Sequence, residues 1–120
     1  MTLWALRGAI TLEANTREEV QEKTQRLVKE MLARNRVAHE DLVSVIFTAT
    51  TDVTAEFPAA AARALGLGDV PLLCAQELDI EHGIARCIRV LMHLHTDIPR
   101  SGLHHVYLEG ARGLRDDLPE

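Results

Sequence analysis

Apolar residues dominate the stretch from Ile84 to Leu94, between the polar run Asp79 to Gly83 and the stop Asp97-Ile98-Pro99. Its β-branched and long aliphatic content predicts one strand about ten residues long. Side chains alternate along a strand, so Ile88, Val90 and Met92 face one way and Cys87, Arg89 and Leu91 the other. Arg89 therefore stands mid-strand among aliphatic neighbours. Arginine cannot shed its proton, and leaving it unpaired in a dry place costs several kcal/mol. An anion must meet it, either a carboxylate of the protein or a ligand.

The other elements follow from the same kind of pattern. Leu3 to Leu12 predicts a strand containing a second embedded cation, Arg7, with Gly8 marking a bulge or a close approach. Thr16-Arg17-Glu18-Glu19 fits a capping box, in which Thr16 and Glu19 each satisfy an orphan amide. Val20, Thr24, Leu27, Val28, Met31 and Leu32 then form one helical stripe, with Asn35 as a left-handed stop. Leu42 to Thr50 predicts a strand, Thr50 to Thr54 a polar loop, and Pro58 to Leu65 a short helix stopped by Gly66. Val70 to Gln76, ending in Glu77, and His104 to Glu109 predict two more strands, and Gly110 to Glu120 a tail. This order predicts the α+β class: a mixed five-stranded sheet with one long helix packed on it and a short second helix. We expect a single domain over residues 1–120, with 113–120 a mobile C-terminal tail.

Composition narrows the function. The 120 residues are 47% apolar and 26% charged, as in ordinary globular domains, and the net charge of −5 argues against a nucleic-acid partner. Eleven of the thirteen cations are Arg, the residue suited to bidentate carboxylate recognition. No apolar run is long enough to span a membrane, and Arg7 interrupts any leader-like segment, so a cytoplasmic protein is expected. Cys74 and Cys87 lie in apolar runs and read as free buried thiols.

Nucleophilic and phosphate-binding motifs are missing: there is no Gly-rich phosphate loop, no Cys-x-x-Cys and no Gly-x-Ser-x-Gly. His93, His95, His104 and His105 have no acidic or thiolate companion at a useful spacing, so we expect no metal. Arginines in apolar surroundings remain: Arg7, Arg89, and Arg115 in the tail. Together with one acid, such as Glu77, they would suit a small dicarboxylate if they converged.

With these residues placed, nearly the whole chain resembles the monofunctional chorismate mutases of the trimeric, pseudo-α/β-barrel type. Leu6-Arg7-Gly8-Ala9, Phe57-Pro58-Ala59, Cys74-Ala75-Gln76-Glu77, Cys87-Ile88-Arg89-Val90-Leu91-Met92, His105-Val106-Tyr107-Leu108-Glu109 and Leu114-Arg115-Asp116-Asp117-Leu118 carry the resemblance, in order and at the family's separations. It implies a homotrimer with active sites between subunits, and cofactor-free rearrangement of chorismate to prephenate. By residue-for-residue transfer, Arg7 and Tyr107 would hold a substrate carboxylate. Arg89 would reach the ether oxygen and the side-chain carboxylate, and Glu77 would bind the ring hydroxyl with Cys74 beside it. Phe57, Ala59 and Leu73 would pack on the ring, and Arg115 would come down with the tail. Two positions depart from the family pattern: Ala60 and Leu73 stand where a lysine and a threonine are usual.

The chemistry fits these residue types. A concerted intramolecular rearrangement needs no nucleophile and no proton transfer, only clamps for a reactive conformer and a cation where charge develops. Two other readings stay open. One is an enamine/imine deaminase on a related trimeric architecture. The other is a non-catalytic trimeric regulator that binds a small anion.

Overall fold

The computed structural model describes residues 1–114. Its strands are β1 (Thr2–Thr11), β2 (Leu42–Ala49), β3 (Leu72–Gln76), β4 (Cys87–Thr96) and β5 (Val106–Leu108), and its helices α1 (Arg17–Arg34) and α2 (Pro58–Ala62). The five strands form one sheet in the order β3-β2-β4-β1-β5. β4 runs antiparallel to both β1 and β2, whereas β3 and β5 run parallel to their neighbours β2 and β1. The sheet is mixed, as the element order predicts.

α1 begins where Thr16 accepts the Glu19 amide on its hydroxyl at 3.1 Å. The reciprocal half of the predicted capping box is absent. Glu19 Oε1 instead accepts the amide of Glu13 at 2.9 Å, tying the β1–α1 connection to the first helical turn. At the other end Asn35 has φ −110°, so it is not the expected left-handed stop, and Arg36 takes that conformation at φ 52°. Asn35 is buried and links two elements: its side chain donates to the carbonyls of Met31 and His104 and accepts the His104 amide.

Val20, Leu27, Val28 and Met31 of α1 pack on Leu6, Ile10, Val45, Phe47, Ile88, Val90, Met92 and Leu94 of the sheet. Each such side chain contributes about 1.5–3 kcal/mol when fully buried. Gly8 is explained by close approach, and β1 pairs with β4 without a bulge. A Cβ at Gly8 would stand 2.5 Å from Met31 Sδ, so only glycine lets the helix sit this close. α2 starts at Pro58, continues into a wider helical turn over Arg63–Leu67, and stops where Gly66 turns left-handed at φ 96°. β4 starts three residues later than expected because the chain reverses at Arg86, φ 45°. Glu109, expected to end the last strand, instead begins a single helical turn over Glu109–Ala111 that leads into the tail, and 115–120, including Arg115, lie outside the described residues.

Candidate active site

One face of the sheet is covered by α1; the other carries the arginines. In β4 the buried Ile88, Val90 and Met92 look toward the helix, which leaves Arg89 on the opposite face, as alternation predicts. Register then fixes its neighbours. Thr48 of β2 and Ala9 of β1 flank Arg89, and Tyr107 of β5 flanks Ala9, so these four form one row across the sheet. Arg7 lies in the adjacent row beside Leu91, followed by Ile46 and then Leu73.

Arg7, Arg89 and Tyr107 line one cavity of about 280 Å³, floored by Ala9 and walled by Ile46 and Thr48. Glu77 follows β3 directly and is placed by its amide, which donates to the Ala49 carbonyl at 2.9 Å. Its Oε2 accepts the Thr48 hydroxyl at 2.6 Å and stands 3.5 Å from Arg89 Nε. The second distance is an ion-pair contact, too long for a good hydrogen bond. The Arg89 side chain remains 42% exposed in the protomer and that of Glu77 26%, so the pair leaves the guanidinium open to a ligand. Among the described residues no carboxylate is ion-paired with Arg7.

Other candidates lie elsewhere on the protomer. Phe57, 66% exposed, and Cys74 line a separate cavity of about 560 Å³ formed with Thr50, Thr51, Val53 to Pro58 and the end of β3. Cys74 is opposite the core residue Phe47, so it belongs to the helix-facing side of β3. Leu73 is 60% exposed on the arginine-bearing face, three strands or roughly 14 Å from Arg7. Ala59, only 5% exposed, packs into the main core beneath α2.

The electrostatics argue against nucleophilic chemistry at the buried thiol. Burial pushes the Cys87 thiol up to about 11 despite nearby Arg89, so it is a protonated core thiol at neutral pH. Burial also opposes ionisation of Asp52, but hydrogen bonds from the Thr50 hydroxyl and the Arg86 amide outweigh it and hold its carboxyl below the usual value. Asp52 thereby fixes the left-handed turn from which β4 runs to Arg89. Among the described residues no three His, Cys, Asp or Glu side chains gather into a metal-holding group. His93 is hydrogen-bonded to Ser44 at 3.1 Å, and His105 Nδ1 accepts the backbone amide of Arg7 at 2.9 Å.

Sequence reasoning missed Thr48 and His105. Thr48 donates to Glu77 and His105 accepts the Arg7 amide, contacts between distant parts of the sequence that only the fold brings together.

Comparison with known proteins decides the family. The profile of the family described as chorismate mutase type I matches residues 3–118. The chain belongs to the type I chorismate mutase family. Chorismate mutase AroH of Bacillus subtilis (strain 168) is 43% identical over 119 residues, covering 98% of this chain and 94% of the relative. Chorismate mutase AroH of Thermus thermophilus is 46% identical over 114 residues, covering 94% and 93%. The structure of a chorismate mutase from Clostridium thermocellum superposes with a TM-score of 0.89 at 45% identity, covering 91% of this chain and 97% of that one. Type I chorismate mutases are isomerase-class enzymes of aromatic amino-acid biosynthesis, and the chain is one of them. These comparisons lend no support to the imine-deaminase or anion-regulator reading. Among the described residues no helix is long and apolar enough to cross a membrane.

Proposed function

We propose that the chain rearranges chorismate to prephenate, the branch-point step toward phenylalanine and tyrosine, at the face that carries Arg89. The observation that supports this most is the convergence of Arg7, Arg89 and Tyr107 on one cavity, with Glu77 beside Arg89. The substrate carries two carboxylates, and its breaking carbon–oxygen bond gathers negative charge on the ether oxygen. In this reading Arg89 is the catalytic cation. A guanidinium held by the sheet and by Glu77 meets that charge more strongly in the transition state than in the ground state. Arg7 and Tyr107 hold a carboxylate and favour the compact reactive conformer. Glu77, steadied by Thr48, accepts the ring hydroxyl.

Phe57 and Leu73 supply the apolar wall in this reading, with Ala59 offering at most its methyl edge and Cys74 beside Glu77, and Arg115 is the further cation that the family resemblance implies. In one protomer Phe57 and the arginines line different cavities. A homotrimer with sites between subunits would bring one protomer's exposed Phe57 and Leu73 against the next one's arginine face. Exposed Leu3 on β1 and Leu73 on the edge strand β3, both on the open sheet face, fit such burial. We place the enzyme in the cytoplasm, as one domain acting without cofactor.

The test is loss of chorismate absorbance with wild-type protein and Arg89→Ala side by side. Rapid turnover by the first and near-abolition in a folded second are expected. An assembled wild type that leaves chorismate unchanged would overturn the assignment.

A further inference from the structure

Glu109 follows β5 directly, and its backbone is left-handed at φ 55°, a conformation unfavourable for any residue but glycine. Tyr107 faces the arginine side, and Leu108 packs into the main core. Simple alternation would return Glu109 to the side of Tyr107. The left-handed turn sends it to α1 instead. There its Oε1 accepts from Lys23 Nζ at 3.1 Å and from Arg26 Nη1 at 2.6 Å. Lys23 and Arg26 lie three residues apart and so share a helix face. The Lys23 side chain is only 11% exposed, an unusual place for lysine without a charged partner.

Beyond Glu109 the chain folds back across the sheet. The Gly110 amide donates to Thr11 Oγ1 at 2.8 Å. Ala111 packs with Ala9, Cys87 and Tyr107 into a second small core on the arginine face, with Leu114 against it. The placement of Tyr107 and of residues 110–114 beside the site thus depends on where the chain turns. Lys23, Arg26 and Glu109 have no part in the chemistry proposed above.

We propose that Glu109, anchored by Lys23 and Arg26, is a positioning residue that fixes Tyr107 and the 110–114 segment against the substrate-binding face and so sets substrate capture. The inference rests on the functional reading of that face. Two charge-assisted bonds to one helix hold the turn that backbone preference alone would not form.

The experiment compares chorismate kinetics of wild type, Glu109→Gln, Glu109→Gly and Lys23→Met, with amide hydrogen exchange at Arg112 and Leu114. Glu109→Gly accepts the left-handed backbone but has no carboxylate, so it separates the anchor from the turn. All three variants are expected to raise KM by roughly five- to tenfold while kcat stays within about twofold. Exchange at Arg112 and Leu114 is expected to quicken, and Lys23→Arg to restore both readouts. Folded variants with unchanged KM and unchanged exchange would overturn the proposal, as would a fall in kcat at constant KM. A wild type without turnover would instead overturn the functional reading, and the exchange rates would still decide whether Glu109 anchors the segment.

Discussion

The Thr48 hydroxyl donates to Glu77 Oε2 at 2.6 Å, the same oxygen that stands 3.5 Å from Arg89 Nε. The hydroxyl therefore competes for the carboxylate that would otherwise close on the arginine. Removing it should let Glu77 draw closer to Arg89 and mask the guanidinium from substrate. Thr48→Val keeps the β-branched shape, so the sheet should hold. We expect kcat/KM for chorismate to fall about three- to tenfold, in line with one hydrogen bond to a charged group. Unchanged kinetics in a folded variant would show that Thr48 does not govern the pair.

Arg89→Lys tests geometry separately from charge. Lysine preserves the cation but lacks the planar fork that can meet a carboxylate and an ether oxygen together. On the proposed mechanism its loss falls on the transition state. We expect kcat to drop by about 10²–10³, the scale seen when one preorganised donor is removed, with a smaller change in KM. A lysine variant within about threefold of wild type would mean that charge alone suffices.

Periodicity carries far in this chain because the two sheet faces differ so sharply. Alternation alone assigns Ile88, Val90 and Met92 to one face and Arg89 and Leu91 to the other, and the strand's burial pattern agrees. The α1 stripe and the mixed sheet were legible for the same reason. Convergence was not legible. Arg7 and Arg89 are 82 positions apart in the sequence, and only the β1–β4 register sets them in adjacent rows. Glu109 escaped because a left-handed turn breaks the alternation on which strand reading depends. Asn35 misled for a related reason: its side chain found partners in Met31 and His104, so the left-handed position passed to Arg36.

Gly8 offers a test of the helix–sheet contact. An alanine there would place Cβ 2.5 Å from Met31 Sδ and 3.1 Å from Leu27 Cδ1, both in the buried stripe of α1. Met31 can swing its flexible end, but it and its neighbours Leu27 and Val28 are fully buried. We expect Gly8→Ala to cost about 1–3 kcal/mol in chemical denaturation, as overpacking does. Trimming the helix side with Met31→Ala in the same chain should recover part of that loss relative to Met31→Ala alone. Additive penalties would argue against a direct clash.

Turnover should vary little with pH across the neutral range. The proposed rearrangement exchanges no proton with the protein. Cys87, pushed up to about 11 by burial, stays a thiol. A kcat profile from about pH 6 to 9 should therefore be nearly flat, and a bell with two clear limbs would require an acid and a base that the proposed mechanism lacks.

Stability should respond to pH through the Lys23–Glu109 pair. Hydrogen bonds from Lys23 and then Arg26 hold the Glu109 carboxyl below its ordinary value of 4.5. A group depressed in this way stabilises the fold fully above its unfolded value, and the contribution is lost as pH falls through the folded one. Lys23 is raised above 10.5, chiefly by its hydrogen bond to Glu109, with Glu19 and Glu22 adding to the effect against burial. Its contribution is complete below 10.5 and is lost as pH rises through the folded value. Between these limits the pair should contribute steadily. Thermal melts of wild type and Glu109→Gln should thus differ by a constant Tm gap from about pH 6 to 9 that closes in acid, where both chains carry a neutral residue at this position. A gap that persists undiminished at about pH 3 would assign the variant's loss to packing at the turn and not to charge.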